Sequence, residues 1–196
     1  VNEVNGTIVE CNTAYGGGRS TTAAHQQVME DHGFTAIAPV DIMEADGTMS
    51  LPIEGGKHLE EVIVGSHLAN YDFVINLAHF KGHMMGGFGG VLKNMAIGMA
   101  ASVGKSLVHS AGTQTTGFGM GTPQDDFLES MAEAAKGIAN FIHGLLVALA
   151  NSVEFRVRMA LVNRNKLRAE SEANNSNLNF RHVDSFNFGQ LSAPSY

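Results

Sequence analysis

Apolar residues along this chain fall into two rhythms. Short apolar runs recur at residues 7–11, 35–40, 73–77 and 105–109, and each is bounded by glycine, proline or polar residues. Runs of that length read as strands, and the one at 73–77, broken only by Asn76, reads as a buried strand covered on both faces. Helical spacing fills the intervals. Ser20 is placed to cap a helix over 21–32, with Ala24, Val28 and His32 on one face, Gln26, Glu30 and Asp31 facing solvent, and Gly33 as its stop. Residues 91–101 read as a second helix. Gly98 inside it costs about 1 kcal/mol relative to alanine, which points to close packing there. A third helix announces itself at Thr122-Pro123-Gln124-Asp125, with a capping threonine, proline at the first position and an acid at the third. Phe127, Met131, Ala134, Ala135, Ile138, Phe141, Ile142, Leu145 and Leu149 then continue at helical spacing.

Between the second and third runs, residues 41–56 are irregular. Asp46-Gly47 marks a turn with 49–51 as a short extended partner, and Gly55-Gly56 marks another. Residues 60–64 read equally as a strand or a helical turn, and 66–70 as a short helix. Strand alternating with helix predicts an α/β domain, a three-layer sandwich with a mainly parallel, Rossmann-like sheet over residues 1–150. Residues 154–158 alternate as a strand would. From 163 onward Asn, Arg, Glu and Ser dominate, so 151–196 is expected to be a weakly docked or poorly ordered segment. In such a fold a ligand site gathers at the carboxyl ends of the strands, here the loops after the first, third and fourth runs.

Composition narrows the function. A chain of 196 residues, 44% hydrophobic and 16% charged, suits one globular core. A formal net charge of −7 argues against a nucleic-acid partner, which requires clustered positive charge. Cys11 is the sole cysteine, which excludes a disulfide framework or a self-contained zinc ribbon and fits a reducing, cytoplasmic compartment. The apolar stretch 137–150 is too short to span a bilayer and contains Asn140 and His143, so no membrane partner is expected. The chain opens at Val1, as a fragment or processed product would.

Candidate chemistry concentrates after residue 77. His79, Lys81 and His83 follow the third run, glycines crowd 86–90, and Lys93-Asn94 lie on the next helix. His79 and His83 are candidate metal ligands or acid/base groups, and a metal would draw its third ligand from His25 or His109. The bland alternative has one imidazole capping a loop carbonyl and the other meeting an anion. Lys81 and Lys93 bracket Gly89 and Gly90 as an anion cradle at a helix N-terminus, and a desolvated lysine there would also suit a base or a Schiff-base nucleophile. Asn12 and Arg19, in the loop after the first run, are further ligand-binding candidates. Arg19 offers bidentate contacts, while the Gly16-Gly17-Gly18 turn beside it serves equally as a plain turn before a helix. Gly104-Lys105-Ser106 lacks the earlier glycine of a phosphate-binding loop and has its strand and helix reversed, so it is not one. Cys11 reads as a buried structural thiol and His143 as a packed histidine.

Three stretches carry a family likeness. They are Glu10-Cys11-Asn12-Thr13-Ala14-Tyr15-Gly16-Gly17, then Asp31-His32-Gly33-Phe34, then His79-Phe80-Lys81-Gly82-His83 with Gly87-Phe88-Gly89-Gly90 and Lys93-Asn94. Over residues 7–143 the chain resembles the domain of unknown function 362 family, described as iron–sulfur-centre proteins. The resemblance implies an α/β core coupled, in full-length relatives, to a ferredoxin-like module with cysteine-ligated [4Fe–4S] clusters. This chain lacks the cysteine run, so it cannot hold such a cluster unaided. Three functions follow as expectations: an iron–sulfur-associated α/β domain binding an anionic small molecule, a lyase or hydrolase using a divalent metal on His79 and His83, or an interaction domain for a missing ferredoxin-like module.

Overall fold

The computed structural model describes residues 6–117, 119 and 121–142, together with the backbone of Leu145–Ala150 and Met159–Val162. Helices and strands are mixed, and among the described residues the strands form four small sheets. The first is the expected β-loop-α-β unit. Strand β1 (Ile8–Glu10) pairs in parallel with β2 (Val40–Ile42), and helix α1 (Thr22–Asp31) connects them. The cap is Thr21 rather than Ser20: the Thr21 hydroxyl accepts the Ala24 N–H, while Ser20 donates to the Gly17 carbonyl. Gly33 ends the helix as expected, in the left-handed conformation at φ 78°. The buried face of α1 is His25 and Met29, not the Ala24–Val28–His32 line.

Two of the expected strands are helical. Residues Phe34–Ala36 form a 3₁₀ turn, because the chain leaving Gly33 folds back on itself before Pro39, and pairing with β1 begins only at the Pro39 carbonyl. Residues 105–109 belong to helix α3 (Ser102–His109). Its apolar alternation was read at the wrong period: Gly104, Lys105, Val108 and His109 are all buried, the spacing of one helical face. A Cβ at Gly104 would strike the Ile63 carbonyl, so glycine lets this helix lie directly on the neighbouring strand.

That strand is β4 (Glu61–Gly65), antiparallel to β3 (Thr48–Pro52), which resolves the ambiguity at 60–64. A 3₁₀ helix at Ser66–Asn70 follows. Strand β5 (Val74–His79) pairs in parallel with β8 (Leu145–Ala150), which pairs antiparallel with β9 (Met159–Val162). Between them, β6 (Lys81–His83) and β7 (Gly87–Gly89) form an antiparallel hairpin. Of the five strand pairs among the described residues two are parallel and three antiparallel, so the mainly parallel sheet expected from sequence is not the pattern these pairs form. Leu145 and Leu149, expected on the last helix, belong to a strand instead.

Helix α2 (Val91–Lys93) passes into a π-helical turn at Asn94–Gly98. The long helix α4 (Gln124–Phe141) starts one residue later than expected. Pro123 occupies the cap position, and no side chain caps the helix. Phe127, Met131, Ala134, Ala135 and Ile138 turn its apolar stripe inward onto a core containing Leu51, Ile53, Val62 and Val64. A Cβ at Gly137 would come within 2.9 Å of Ile53, which shows how closely α4 rests on the β3–β4 pair. No helix among the described residues is long and apolar enough to cross a membrane. His143, the alternation at 154–158 and most of the expected C-terminal segment lie outside the described residues.

Candidate functional site

The site is built from the end of β5 outward. Val74, Asn76 and Ala78 point inward from β5, while Ile75, Leu77 and His79 are exposed. The strand is therefore covered on one face only, against the two-sided burial expected. Asn76 is the polar exception on its inner face. Its amide donates to the Val91 carbonyl, and its oxygen accepts the Asn94 amide at 2.7 Å. This asparagine pair ties the β5 strand to the α2 segment, where a lone buried amide would cost stability. Asn94 reaches a cavity wall with its side chain already committed to β5. The packing expected at Gly98 is present, since a Cβ there would lie 3.3 Å from the Asn94 Oδ1.

A cavity of about 400 Å³ opens beside this joint. It gathers His79, Lys81, His83, Gly89, Gly90, Lys93 and Asn94 from the β5–α2 stretch, and Arg19 from the loop after β1. Of the residues singled out from sequence, Asn12 and the third-ligand candidate His25 do not line it. Asn12 is buried behind the wall, where its amide donates to Thr22 Oγ1 and its oxygen meets His25 Nδ1. Sequence reasoning missed Glu10 and Lys105 as lining residues, and named His109 only as a possible third metal ligand. Lys105 was hidden because an apolar run at 105–109 suggests a strand with Lys105 at its far end, and Glu10 because a carboxylate at a strand end is not by itself a sign of a site.

Charge in this cavity opposes that of the chain. Four cationic side chains, Arg19, Lys81, Lys93 and Lys105, face one carboxyl, Glu10. Burial, and then the neighbouring Lys81, pulls the Lys93 amine below its ordinary range. Burial does the same to Lys105, whose amine donates to the Ala100 carbonyl. Burial pushes the Glu10 carboxyl upward, which further reduces the negative charge there. Gly90 precedes α2, but only three residues of α-helix follow before the π turn, so the cradle rests on side chains more than on a helix dipole.

Two imidazoles have assigned protons. His83 Nδ1 accepts the Gly86 N–H at 3.0 Å, so its ring proton sits on Nε2. His109 Nδ1 lies 2.6 Å from the Lys105 carbonyl, an acceptor, so the proton sits on Nδ1. Both rings stack on the fully buried Phe127, with centroids 6.4 and 5.1 Å away. Burial lowers both pKa values, with Lys93 adding to the effect on each.

Metal and cluster chemistry fare differently. Cys11 is buried, its thiol donates to the Met99 carbonyl, and burial pushes its pKa up to about 12. One protonated structural thiol does not fit an iron–sulfur cluster, which takes several thiolates. Among the described residues, the donors that come within 4.8 Å of one another as a possible metal set are His58, Asp126 and Glu129, not His79 and His83 with His25 or His109. The same Glu129 oxygen already holds the Lys57 amine at 2.6 Å.

The family model described as Domain of unknown function (DUF362) matches residues 1–159. No curated protein matches the chain.

Proposed function

The chain belongs to the DUF362 family, and from its cavity we propose that it binds a small anionic molecule through Lys81, Lys93 and Arg19. The observation that carries this reading is the concentration of four cations against one half-buried carboxyl in a cavity of about 400 Å³, within a chain of net charge −7. Lys93 and Lys105 are desolvated beside the exposed Arg19 and Lys81, and an anion among them relieves their mutual repulsion and replaces lost hydration. Lys93, with its lowered pKa, is also the residue best suited to act as a base once a ligand is bound. The cavity volume lies in the range of small-molecule sites. A buried, unpaired thiol suits a reducing cytoplasm. The finer architecture we favour is a three-layer, Rossmann-like core, supported by the parallel β1–β2 and β5–β8 pairs.

The test is anion-dependent thermal stabilisation, scanned over phosphate and small carboxylates. A ligand at a hundred times its Kd adds about 2.7 kcal/mol, which for a chain of this size raises Tm by roughly 5–10 °C. Lys81→Ala and Lys93→Ala should each remove most of that rise. A rise of the same size in both variants refutes the reading.

A second reading, an interaction domain for a ferredoxin-like module that brings its own cluster, is favoured by one observation. Ile75 and Leu77 on the outer face of β5, and the stacked Phe80 and Phe88 of the hairpin, are all exposed. Replacing Phe80 and Phe88 with serine should then abolish co-purification with such a module while leaving anion stabilisation intact. Co-purification that survives the replacement rejects this second reading.

A further inference from the structure

Resting on the anion-binding reading, we infer that Lys93 is a nucleophile that forms a Schiff base, and that the small anion this cavity takes carries an aldehyde or a ketone. The β6–β7 hairpin sets the geometry. Lys81 and Gly89 are register partners across it, and Gly89 is buried. A Cβ at Gly89 would lie 3.6 Å from Lys93 Cδ and 3.7 Å from Lys81 Cγ, so the two lysine stems run over one face of that glycine. Both lysines line the cavity. Among the described residues the half-buried Lys93 amine has no hydrogen-bond or ion-pair partner to hold it as an ammonium. Lys105 differs, since its amine donates to the Ala100 carbonyl and lies in the field of the Glu44 and Glu10 carboxyls.

Partial burial and a second cation alongside both disfavour the ammonium form, so the Lys93 lone pair is more available than that of an ordinary lysine. The step balances without an oxidant or co-reactant. The ammonium gives one proton to solvent, and the amine adds to the carbonyl carbon as the carbon–oxygen π bond opens. A second proton passes from nitrogen to that oxygen, giving a carbinolamine. Its hydroxyl takes a proton from solvent and leaves as water, while the nitrogen lone pair closes the carbon–nitrogen double bond. One ammonium and one carbonyl become one iminium and one water. The nitrogen is positive before and after, so the ligand's anionic end keeps its counter-charge. The exposed Lys81 and Arg19 take that end, a carboxylate or a phosphate.

Reductive trapping on the full chain decides the matter. Pyruvate and glycolaldehyde phosphate are each added with cyanoborohydride, which reduces an iminium to a stable secondary amine, and the labelled lysine is located by mass spectrometry of fragments. Acetone and glycolaldehyde serve as uncharged controls. With at least one anionic probe Lys93 should label about tenfold faster or more than any other lysine, because only about one ordinary lysine amine in 2,500 is unprotonated at pH 7. The probe that labels identifies the anionic group. Lys93→Arg keeps the charge and removes the nucleophile, so selective labelling should vanish while phosphate or acetate still stabilises the chain. Lys81→Gln should move the pH midpoint of Lys93 labelling upward, with His83 and His109, the other titratable groups near that amine, left in place. Labelling spread evenly over the lysines, or favouring a lysine other than Lys93, overturns the nucleophile and leaves the anion site standing if phosphate or acetate still stabilises. Loss of that stabilisation in the unaltered chain overturns the anion reading by itself. Labelling of Lys93 as fast by the uncharged controls as by the anionic probes overturns the ligand class. An unmoved midpoint in Lys81→Gln overturns the part given to Lys81. Should either variant not fold, labelling of the unaltered chain is decisive alone.

Discussion

Glu44 never enters the cavity, yet it holds two of its walls together. Its Oε1 accepts the Asn12 N–H at 2.6 Å, and its Oε2 accepts the Ser102 N–H at 2.7 Å and the Ser102 hydroxyl at 3.3 Å. Asn12 opens the loop that leads to Arg19, and Ser102 opens α3, which carries Lys105 and His109. The residue at the cap of α3 is Ala101, which has no acceptor, so Glu44 supplies from a distance what a capping side chain would supply locally. Glu44→Gln keeps the shape and replaces one oxygen with an NH₂ that faces a donor. A hydrogen bond to a charged group is worth about 1.5–3 kcal/mol, and a donor left without a partner costs about 1–3 kcal/mol. Because Glu44 is only partly buried, the lower part of those ranges applies, and a loss of about 2–3 kcal/mol is expected. With a urea m-value of about 2–3 kcal/mol/M, in the upper part of the usual range for a chain of this size, the unfolding midpoint should fall by roughly 1 M at constant m. Anion affinity should fall with it, because Arg19 and Lys105 would no longer be held in register. A Glu44→Gln protein within about 0.5 kcal/mol of the parent would show that the loop and helix need no such clamp, and the reasoning would fail.

Phe127 is fully buried beneath both site imidazoles, so Phe127→Ala should destabilise by about 3–5 kcal/mol in urea. It should also shift the ring-proton resonances of His83 and His109 together, and movement of neither would contradict the stacking. His67 sits between Asp41 and Asp46 at 2.8 Å from each, and hydrogen bonds to Asp41 and then Asp46 raise its pKa. A raised folded value means this contribution is complete below about pH 6.5, the unfolded value, and is lost as pH rises through the folded one. Asp46 is exposed, so the difference between parent and His67→Gln should be no more than about 1 kcal/mol below pH 6 and should shrink as pH rises through the raised folded value. A difference that grows with pH would reverse the sign and reject the assignment.

Most of the cavity was legible because so much of it is local in sequence. His79, Lys81, His83, Gly89, Gly90, Lys93 and Asn94 lie within one strand, one hairpin and one turn, so finding the polar interruption of an apolar run was enough to find them. The floor was not legible, because it depends on which helix face meets which strand. Gly104 reads as a neutral punctuation mark until the Ile63 carbonyl is seen where its side chain would be. A strand over 105–109 puts Lys105 at the end away from the expected site, whereas the helix brings it to the cavity with His109. Asn12 misled for the opposite reason: a polar residue at a strand end looks like a ligand group, but its amide serves Thr22 and His25. The same holds for the run at 73–77. Its apolar content suggested burial on both faces, yet only alternate residues are covered, and composition alone does not separate a buried strand from one that exposes half its side chains.

Net charge deserves the same distinction between sum and arrangement. An acidic chain is the sequence's reason to expect no nucleic-acid partner, but the sum does not say where the charges sit. Glu129 and Glu133 of α4 are taken up by the Lys57 amine, His58 and the backbone N–H groups of residues 57–59. Asp41 and Asp46 are taken up by His67. These acids lie away from the cavity, and the one carboxyl that lines it is the one burial makes hardest to ionise. A potential set by the nearest groups in a partly desolvated hollow is therefore positive, while the distant acids are screened over a Debye length of about 8 Å at physiological salt. Raising the salt should weaken anion binding only modestly if the charges that matter are those lining the cavity, because buried pairs are screened far less than exposed ones. A steep loss of affinity with salt would instead assign binding to the exposed Arg19 and Lys81 at the rim, and would remove the desolvated Lys93 from the site.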